Sequence, residues 1–336
     1  MSNSIRNTIT KLKIMGKALS PSLRILNKGS QRLSERLLTQ VSIKEGFPDL
    51  LISPLSFEQI VTRMKYKNET LTKDFLGVLV EMGTLKKNGN LYSWNGRKVE
   101  ISKAERKLQK IGLAFAKLGE IFSTYLPYAL RGHVRTREFT RELLLAIWDS
   151  IYSSQMYKTA REISLKWGRM PRDCVLLDLG CGTGWSTIDL IQVANPKKVF
   201  ALDRSKKAIE IARENINIAN LSDRVEFIVC DVLKNLPIEE KVDGIFSSLF
   251  FHWFTEDQTL IALRNIRTLI ETGASFCGMQ PLRKDMDSIA YLDVLFRASV
   301  DFKGYPQKDF FEDTFVKADF TKPNILGNAL FACRSI

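Results

Sequence analysis

Gly180-Cys-Gly-Thr-Gly184 places three glycines at alternate positions directly after an apolar run, Cys174–Leu179, interrupted only by Asp178. Glycine lets a backbone turn tightly and approach a ligand without a Cβ in the way. A helix starting at Trp185 would aim its first amides at a polar or negative group. Two acids keep step with this loop. Asp203 closes a second apolar run, Lys198–Leu202, 19 residues beyond Gly184, where a carboxylate accepts two hydrogen bonds from ribose hydroxyls. Asp231 closes a third run, Val225–Cys230, and is placed to reach an adenine amino group with the Val232 amide at the ring edge. His252, within Phe250-Phe-His-Trp-Phe254, follows a fourth run. An imidazole with an ordinary pKa near ~6.5 suits proton acceptance at neutral pH.

The spacing separates this loop from two other glycine-rich loops. A dinucleotide fingerprint needs Gly-x-Gly-x-x-Gly, whereas here it is Gly-x-Gly-x-Gly, and no Gly-Lys-Ser/Thr follows as in a phosphate-binding P-loop. Two histidines (His133, His252) and five cysteines without a Cys-x-x-Cys pair argue against a zinc site. The odd cysteine count, mostly in apolar runs, fits a reducing compartment and a cytoplasmic protein. The longest apolar runs, Leu143–Trp148 and Ile245–Phe251, are far short of the ~20 residues that span a bilayer.

Strands and helices alternate from Cys174 onward, which implies a parallel sheet covered on both faces. Helices are expected over Trp185–Val193 and Ser205–Ile218, a fourth strand from Asp243 through Leu249 and a fifth over Ser275–Gln280. Upstream, residues 102–170 read as helical: Ser102–Phe122, a break at Pro127, then Arg137–Trp167. Leu143, Ile147, Ile151 and Met156 form an apolar stripe there, flanked by Trp148, Tyr152 and Tyr157. These aromatics are either core or a wall of the ligand pocket.

The basic charge lies in the first half. Residues 1–170 carry 30 Lys+Arg against 14 Asp+Glu, whereas residues 171–336 carry 20 against 23, so the net charge of +13 is not spread over the sheet region. Ile5, Ile9, Leu12 and Leu19 share a helical face, with Lys11, Lys13 and Lys17 away from it. That amphipathic segment fits packing against a dimer partner or a peripheral contact with an anionic membrane. Ser20-Pro21 starts a helix expected to reach Ile43 and stop near Gly46-Phe-Pro48. Ser56 caps Phe57–Met64, Asn68 caps Glu69–Met82, and Gly83 ends it. Leu85–Trp94 reads as a hairpin turning at Asn88-Gly89. Helix, helix, hairpin is the order of a winged helix. Its second helix carries Glu69, Asp74 and Glu81 against Lys73 alone, a poor surface for phosphates, so a packing or dimerisation role is the better reading than DNA binding.

On Leu177-Asp-Leu-Gly-Cys-Gly-Thr-Gly184, Asp203 and Cys230-Asp231, residues 165–336 resemble the class I S-adenosylmethionine-dependent methyltransferases. Residues 30–164 resemble the winged-helix dimerisation domain that precedes the catalytic domain of small-molecule O-methyltransferases. The resemblance implies an α/β fold with a Rossmann-like seven-stranded sheet, ending in an antiparallel hairpin for which Thr321–Leu326 and Ala329–Arg334 are available. An all-helical or winged-helix domain would precede it. The domains are then 1–101 (helices and winged helix), 102–170 (helical connector covering the site) and 171–336 (catalytic). S-adenosylmethionine is the implied cofactor. Asp203 would hold the ribose and Asp231 the adenine, and the Gly180–Gly184 backbone the methionine part. The expected cofactor set is Asp178, Gly180, Cys181, Gly182, Gly184, Asp203, Arg204, Asp231, Val232, Ser247 and Tyr152. Glu271-Thr-Gly-Ala274 stands where many relatives have adjacent glycines.

In the resembled O-methyltransferases a histidine after the fourth strand is the base, followed by a tryptophan and acids. His252, Trp253, Glu256 and Asp257 are similar, with one residue fewer between histidine and tryptophan. His252 is therefore either the catalytic base or a pocket-lining residue. Acceptor specificity is expected between the fifth and sixth strands, where Met286, Tyr291, Leu292, Leu295, Phe296, Phe302, Tyr305, Phe310 and Phe311 suit a hydrophobic or aromatic small molecule, unless they belong to the core of a helix over Ser288–Val300. An RNA or protein-lysine acceptor would use the basic half, although no RNA-binding module is visible. A non-enzymatic winged-helix sensor of S-adenosylmethionine is the third reading.

Overall fold

Ser56 and Asn68 set the starts of two consecutive helices. The Ser56 hydroxyl accepts from the Gln59 amide, and the Gln59 side chain accepts from the Ser56 amide, a reciprocal cap on α1 (Phe57–Met64). Asn68 Oδ1 accepts from Leu71 N at 3.1 Å to open α2 (Glu69–Glu81). Gly83, at φ 71°, lets the chain leave the helix. The computed structural model describes residues 34–35, 37–96, 109–133, 144–234, 236–283, 288–299 and 301–336. The basic amphipathic segment 5–19 lies outside them. Residues 37–44 form the end of the helix expected to reach Ile43.

The chain divides into two units, Met1–Gly132 and His133–Ile336. The segment 102–170 is thus shared between them. In the first unit, β1 (Leu55–Ser56), β2 (Leu85–Asn88) and β3 (Leu91–Trp94) form an antiparallel sheet in the order β1-β3-β2. Asn88 pairs with Leu91, so the hairpin turn is Gly89-Asn90, one residue later than expected, with Gly89 at φ 58°. Phe75, Leu76, Val78 and Leu79 of α2 are fully buried. Each such side chain contributes about 1.5–3 kcal/mol by leaving water. A further helix, α3 (Gln109–Leu130), belongs to this unit and runs through Pro127. The expected break there is absent. Proline in the last turn removes a single N–H, and Arg131 N still donates to Pro127 O at 3.3 Å.

The second unit is built on a seven-stranded sheet of order β6-β5-β4-β7-β8-β10-β9. Its strands are β4 (Val175–Leu179), β5 (Lys198–Asp203), β6 (Val225–Val229), β7 (Val242–Ser248), β8 (Ile270–Met279), β9 (Asn324–Leu326) and β10 (Leu330–Arg334). The first five pair in parallel, and the terminal hairpin β9–β10 runs antiparallel on β8. β8 begins earlier than Ser275, because Glu271-Thr-Gly-Ala274 continues the strand irregularly, with a register shift between Val242 and Gly244 on β7. Six phenylalanines (Phe251, Phe276, Phe311, Phe315, Phe320, Phe331) interlock beneath β8 and β10.

Two helices precede the sheet in this unit: α4 (Leu145–Tyr152) and α5 (Gln155–Trp167). A single helix over Arg137–Trp167 is therefore corrected, at least from Leu144 onward. Ser154 adopts φ −69°, ψ 148°, which opens a new helix rather than continuing the old one. The apolar stripe shifts accordingly: Leu145, Trp148 and Ile151 are buried, and Met156 only half-buried. The remaining helices are α6 (Trp185–Ala194), α7 (Lys206–Ile218), α8 (Glu256–Arg267), α9 (Ser288–Phe296) and α10 (Lys308–Lys317). α9 stops short of the expected Val300. Among the described residues no helix is long and apolar enough to cross a membrane.

Candidate functional site

The chain crosses from the β4–β6 half of the sheet to the β7–β10 half between β4 and β7, and ligands bind outside the carboxyl ends of strands at such a switch. The glycine loop sits there. Gly180, Gly182 and Gly184 all adopt positive φ (73°, 56° and 89°), which explains glycine at each position. A Cβ on Gly180 would lie 2.4 Å from the Phe250 ring, and one on Gly184 3.1 Å from the Ala212 side chain. The loop is fastened to the second strand: Gly180 N and Cys181 N both donate to Leu202 O, at 2.8 and 2.9 Å.

Asp203 is buried and accepts from Gly182 N at 3.0 Å and Ser205 N at 2.9 Å. It thus holds the loop and the start of α7, in addition to the ribose role expected for it. Asp178 is also buried. Its Oδ2 accepts from Ser186 Oγ at 2.7 Å and Thr187 Oγ1 at 2.6 Å. Burial raises its carboxyl from 3.8 to about 6, opposed by these two hydroxyls and by the charge of Arg161. Asp178 Oδ1, Thr183 Oγ1 and Ser247 Oγ are buried polar atoms with no hydrogen-bond partner among the described residues. Each such atom costs about 1–3 kcal/mol if nothing satisfies it, so polar groups of a bound ligand fit here.

A cavity over the loop is lined by Gly180–Thr183, Trp185 and Ser186 on one side, Ser248–Phe250 and Trp253 on another, and Tyr152 and Arg161 on a third. Of the expected cofactor residues, Tyr152, Gly180, Cys181 and Gly182 line it directly. Asp178, Gly184, Asp203 and Ser247 lie in the frame around it. Asp231 and Val232 follow β6, where Asp231 Oδ1 accepts from Leu233 N and Val232 O from Asn265 Nδ2. Arg204 is exposed and pairs with Asp301 at 3.8 Å, away from the lining residues.

Sequence reasoning missed Arg161. It is 2 % exposed, ion-paired with Asp189 at 2.7 Å, and both its terminal nitrogens donate to Tyr152 O at 3.0 Å. A lone arginine in a helix full of polar residues carries no motif; only the packing of α5 on α6 makes it part of the site. Ser248, Phe250 and Trp185, whose indole N–H donates to Asp149, were likewise not singled out.

His252 lies in a short helical turn, Phe251–Trp253, after β7 and is 4 % exposed. Its ring packs against Trp253 (4.6 Å between centroids), Phe302 (5.2 Å) and Tyr305 (5.5 Å). From there rings continue through Phe296 and Trp148 to Tyr152 and Tyr157. Burial pushes the Tyr157 hydroxyl up to about 12 and raises that of Tyr305 well above its ordinary value, so both stay protonated at neutral pH. The segment 281–312 therefore divides. Phe296, Phe302 and Tyr305 join the wall beside His252, whereas Phe311 belongs to the phenylalanine core. Met286 lies outside the described residues. His252 and Trp253 part in the same way: Trp253 is among the cavity-lining residues, and His252 packs against its ring in the aromatic wall.

Known proteins resemble this chain over the same stretch. Residues 176–273 match the family profile described as a methyltransferase domain. A malonyl-[acyl-carrier protein] O-methyltransferase of Priestia megaterium is 32% identical over 90 residues, 27% of this chain and 31% of that protein. A probable cobalt-precorrin-6B C(15)-methyltransferase of Thermoplasma volcanium is 35% identical over 71 residues, 21% of this chain and 35% of that one. The chain thus spans about a third of the length of these curated relatives. Among solved structures, the CurJ carbon methyltransferase covers 95% of this chain at a TM-score of 0.66 and 16% identity, with 98% of its own length covered. An O-methyltransferase family 2 protein of Planctomyces limnophilus covers 95% at 0.58 and 16%, with 96% of its own length covered. The solved structures share the fold of this chain, and the family match over residues 176–273, with the glycine loop and the sheet order, makes that stretch a class I S-adenosylmethionine-dependent methyltransferase domain with S-adenosylmethionine as its cofactor.

Proposed function

We propose that this chain transfers a methyl group from S-adenosylmethionine to a hydroxyl or thiol of a hydrophobic, aromatic small molecule. The observation that carries the acceptor class is the wall of Trp148, Tyr152, Phe296, Phe302, Tyr305 and Trp253 on one flank of the site. Stacked and edge-on rings of this kind favour a flat apolar partner.

When bound, the cofactor supplies an electrophilic methyl on a sulfonium. The chain's residues position the partners. The glycine loop and Asp203 hold the nucleoside and methionine ends, Asp231 reads the base, and the aromatic wall orients the acceptor and excludes water. A hydroxyl or thiol must lose its proton, and His252, packed on the cavity-lining Trp253, is the residue proposed to take it. The N-terminal unit serves as a dimerisation module in this reading.

A carbon acceptor is the second reading, favoured by the fold shared with the CurJ carbon methyltransferase. Incubation with methyl-labelled cofactor and a panel of phenols, quinones, thiols, carbon acids and tRNA separates these readings. Label in phenols or thiols, lost in His252→Ala, is the expected result. Label only in tRNA or carbon acids, or full turnover by His252→Ala, would overturn it.

A further inference from the structure

Asp293, on α9, is a fully buried acid, and acids reach that depth only when they are paired. Its Oδ2 accepts from Arg283 Nη1 at 3.0 Å and Arg297 Nε at 2.9 Å, and its Oδ1 accepts from Tyr305 N at 2.6 Å. One side chain thus ties together the chain after β8, the end of α9 and the segment 301–306. That segment is fastened on both sides of Tyr305. Lys303 N donates to His252 O at 2.9 Å, and Arg283 N donates to Pro306 O at 2.9 Å. It also presents Phe302 and Tyr305 to the His252 ring, at 5.2 and 5.5 Å between centroids. We propose that Asp293 is a positioning residue for the acceptor site: through the Tyr305 amide it sets where the Phe302 and Tyr305 rings stand against His252.

Stability alone gives little reason for such a cluster. Taking a carboxylate and two largely buried guanidinium groups out of water costs about as much as their attraction returns, and apolar side chains of similar volume often do as well. What apolar packing lacks is direction. Phe302 meets Phe296 and Tyr305 edge-on at 5.6 and 5.1 Å, and such ring contacts tolerate a range of separations. A charge-assisted hydrogen bond from a backbone amide to a carboxylate does not, so it fixes the backbone that carries the rings. The glycine beside it serves the same approach. Gly304 lies at φ 123°, and a Cβ there would stand 3.3 Å from Asp293 Oδ1.

The inference rests on the functional reading above, but its first readout needs no acceptor. The chain has two histidines, so proton NMR of the imidazole C–H groups shows His252 with the exposed His133 as an internal reference, assigned by His252→Ala. Three variants of the full chain are compared. Asp293→Asn leaves an amide that cannot accept from the arginines and from Tyr305 N together. Gly304→Ala pushes the segment away while the carboxylate and both arginines stay. Arg297→Gln weakens the cluster but keeps the Tyr305 tie, so it reports loss of stability alone. The His252 resonance is expected to move in Asp293→Asn and Gly304→Ala and to stay in Arg297→Gln, although the last also lowers the melting temperature. In the labelled-methyl panel the first two should raise the acceptor KM by about tenfold and leave S-adenosylhomocysteine affinity within about twofold. An unmoved His252 resonance in Gly304→Ala, an equal shift in Arg297→Gln, or an unchanged acceptor KM would overturn the assignment. If Asp293→Asn does not fold, Gly304→Ala against Arg297→Gln decides. If the unaltered chain methylates nothing in the panel, the functional reading falls, and the His252 resonance still decides whether Asp293 holds the wall.

Discussion

The two flanks of the site are made in opposite ways. The cofactor flank consists of backbone turned by three glycines, buried carboxylates and polar atoms left for a ligand, each bound to a particular place by hydrogen bonds. The flank proposed for the acceptor consists of aromatic rings that hold one another by packing, contributed from α4, α5, α9 and the chain around Phe302 and Tyr305. A hydrogen-bonded cradle tolerates few alternatives and recognises one ligand. A wall of rings can be recut by changing one side chain while the cradle beside it is unaffected.

The largest expected departure from that contrast concerns Asp178. Its folded-state carboxyl is raised from 3.8 to about 6, so the folded chain binds a proton more tightly than the unfolded one. Stability from this group is fully present below pH ~4 and lost as pH rises through ~6, a difference of roughly 2–3 kcal/mol before relaxation. Denaturant unfolding across that window should show the loss, and Asp178→Asn should flatten it while weakening cofactor binding. Next in size is Asp203→Asn. An amide cannot accept from both Gly182 N and Ser205 N, so S-adenosylhomocysteine affinity should drop by about 1.5–3 kcal/mol, read by calorimetry.

The acceptor flank should respond differently. Phe302→Leu keeps most of the apolar volume but removes the ring against His252, Phe296 and Tyr305. S-adenosylhomocysteine affinity should be unchanged, whereas the ranking of acceptors in the labelled-methyl panel shifts by about fivefold, or ~1 kcal/mol. A change in cofactor affinity would break the independence of the two flanks. The smallest effect is expected outside the site. Ser56→Ala removes one half of the reciprocal cap on α1 and should cost about 1 kcal/mol of stability in thermal unfolding, without altering nucleoside binding.

The same contrast explains what the sequence disclosed. Backbone chemistry leaves a local signature: positive φ requires glycine, so Gly180, Gly182 and Gly184 announced the loop, and Asp203 stood at a fixed distance from it. The parallel strands were legible as short apolar runs between helices, and the terminal hairpin as what the family resemblance implies. Packing leaves none. Phe296, Phe302 and Phe311 look alike in the chain, yet two join the wall and one the phenylalanine core. Arg161 and the Ser153-Ser154 break were missed because a single polar residue in a helical pattern has no spacing to betray it. Arg204 was drawn in by its neighbour Asp203, but successive residues point to opposite sides at a strand's end, and it faces solvent.

Titration of S-adenosylhomocysteine into the unaltered chain and into Gly180→Val tests the claim on which the rest stands. Valine at φ 73° carries a strained backbone and a Cβ 2.4 Å from the Phe250 ring, so the loop cannot keep its shape. The unaltered chain should bind one equivalent, and Gly180→Val should bind at least ~30-fold more weakly, with the melting transition of the folded chain retained. No binding by the unaltered chain, or equal binding by the two, would contradict a cofactor site built on the glycine loop.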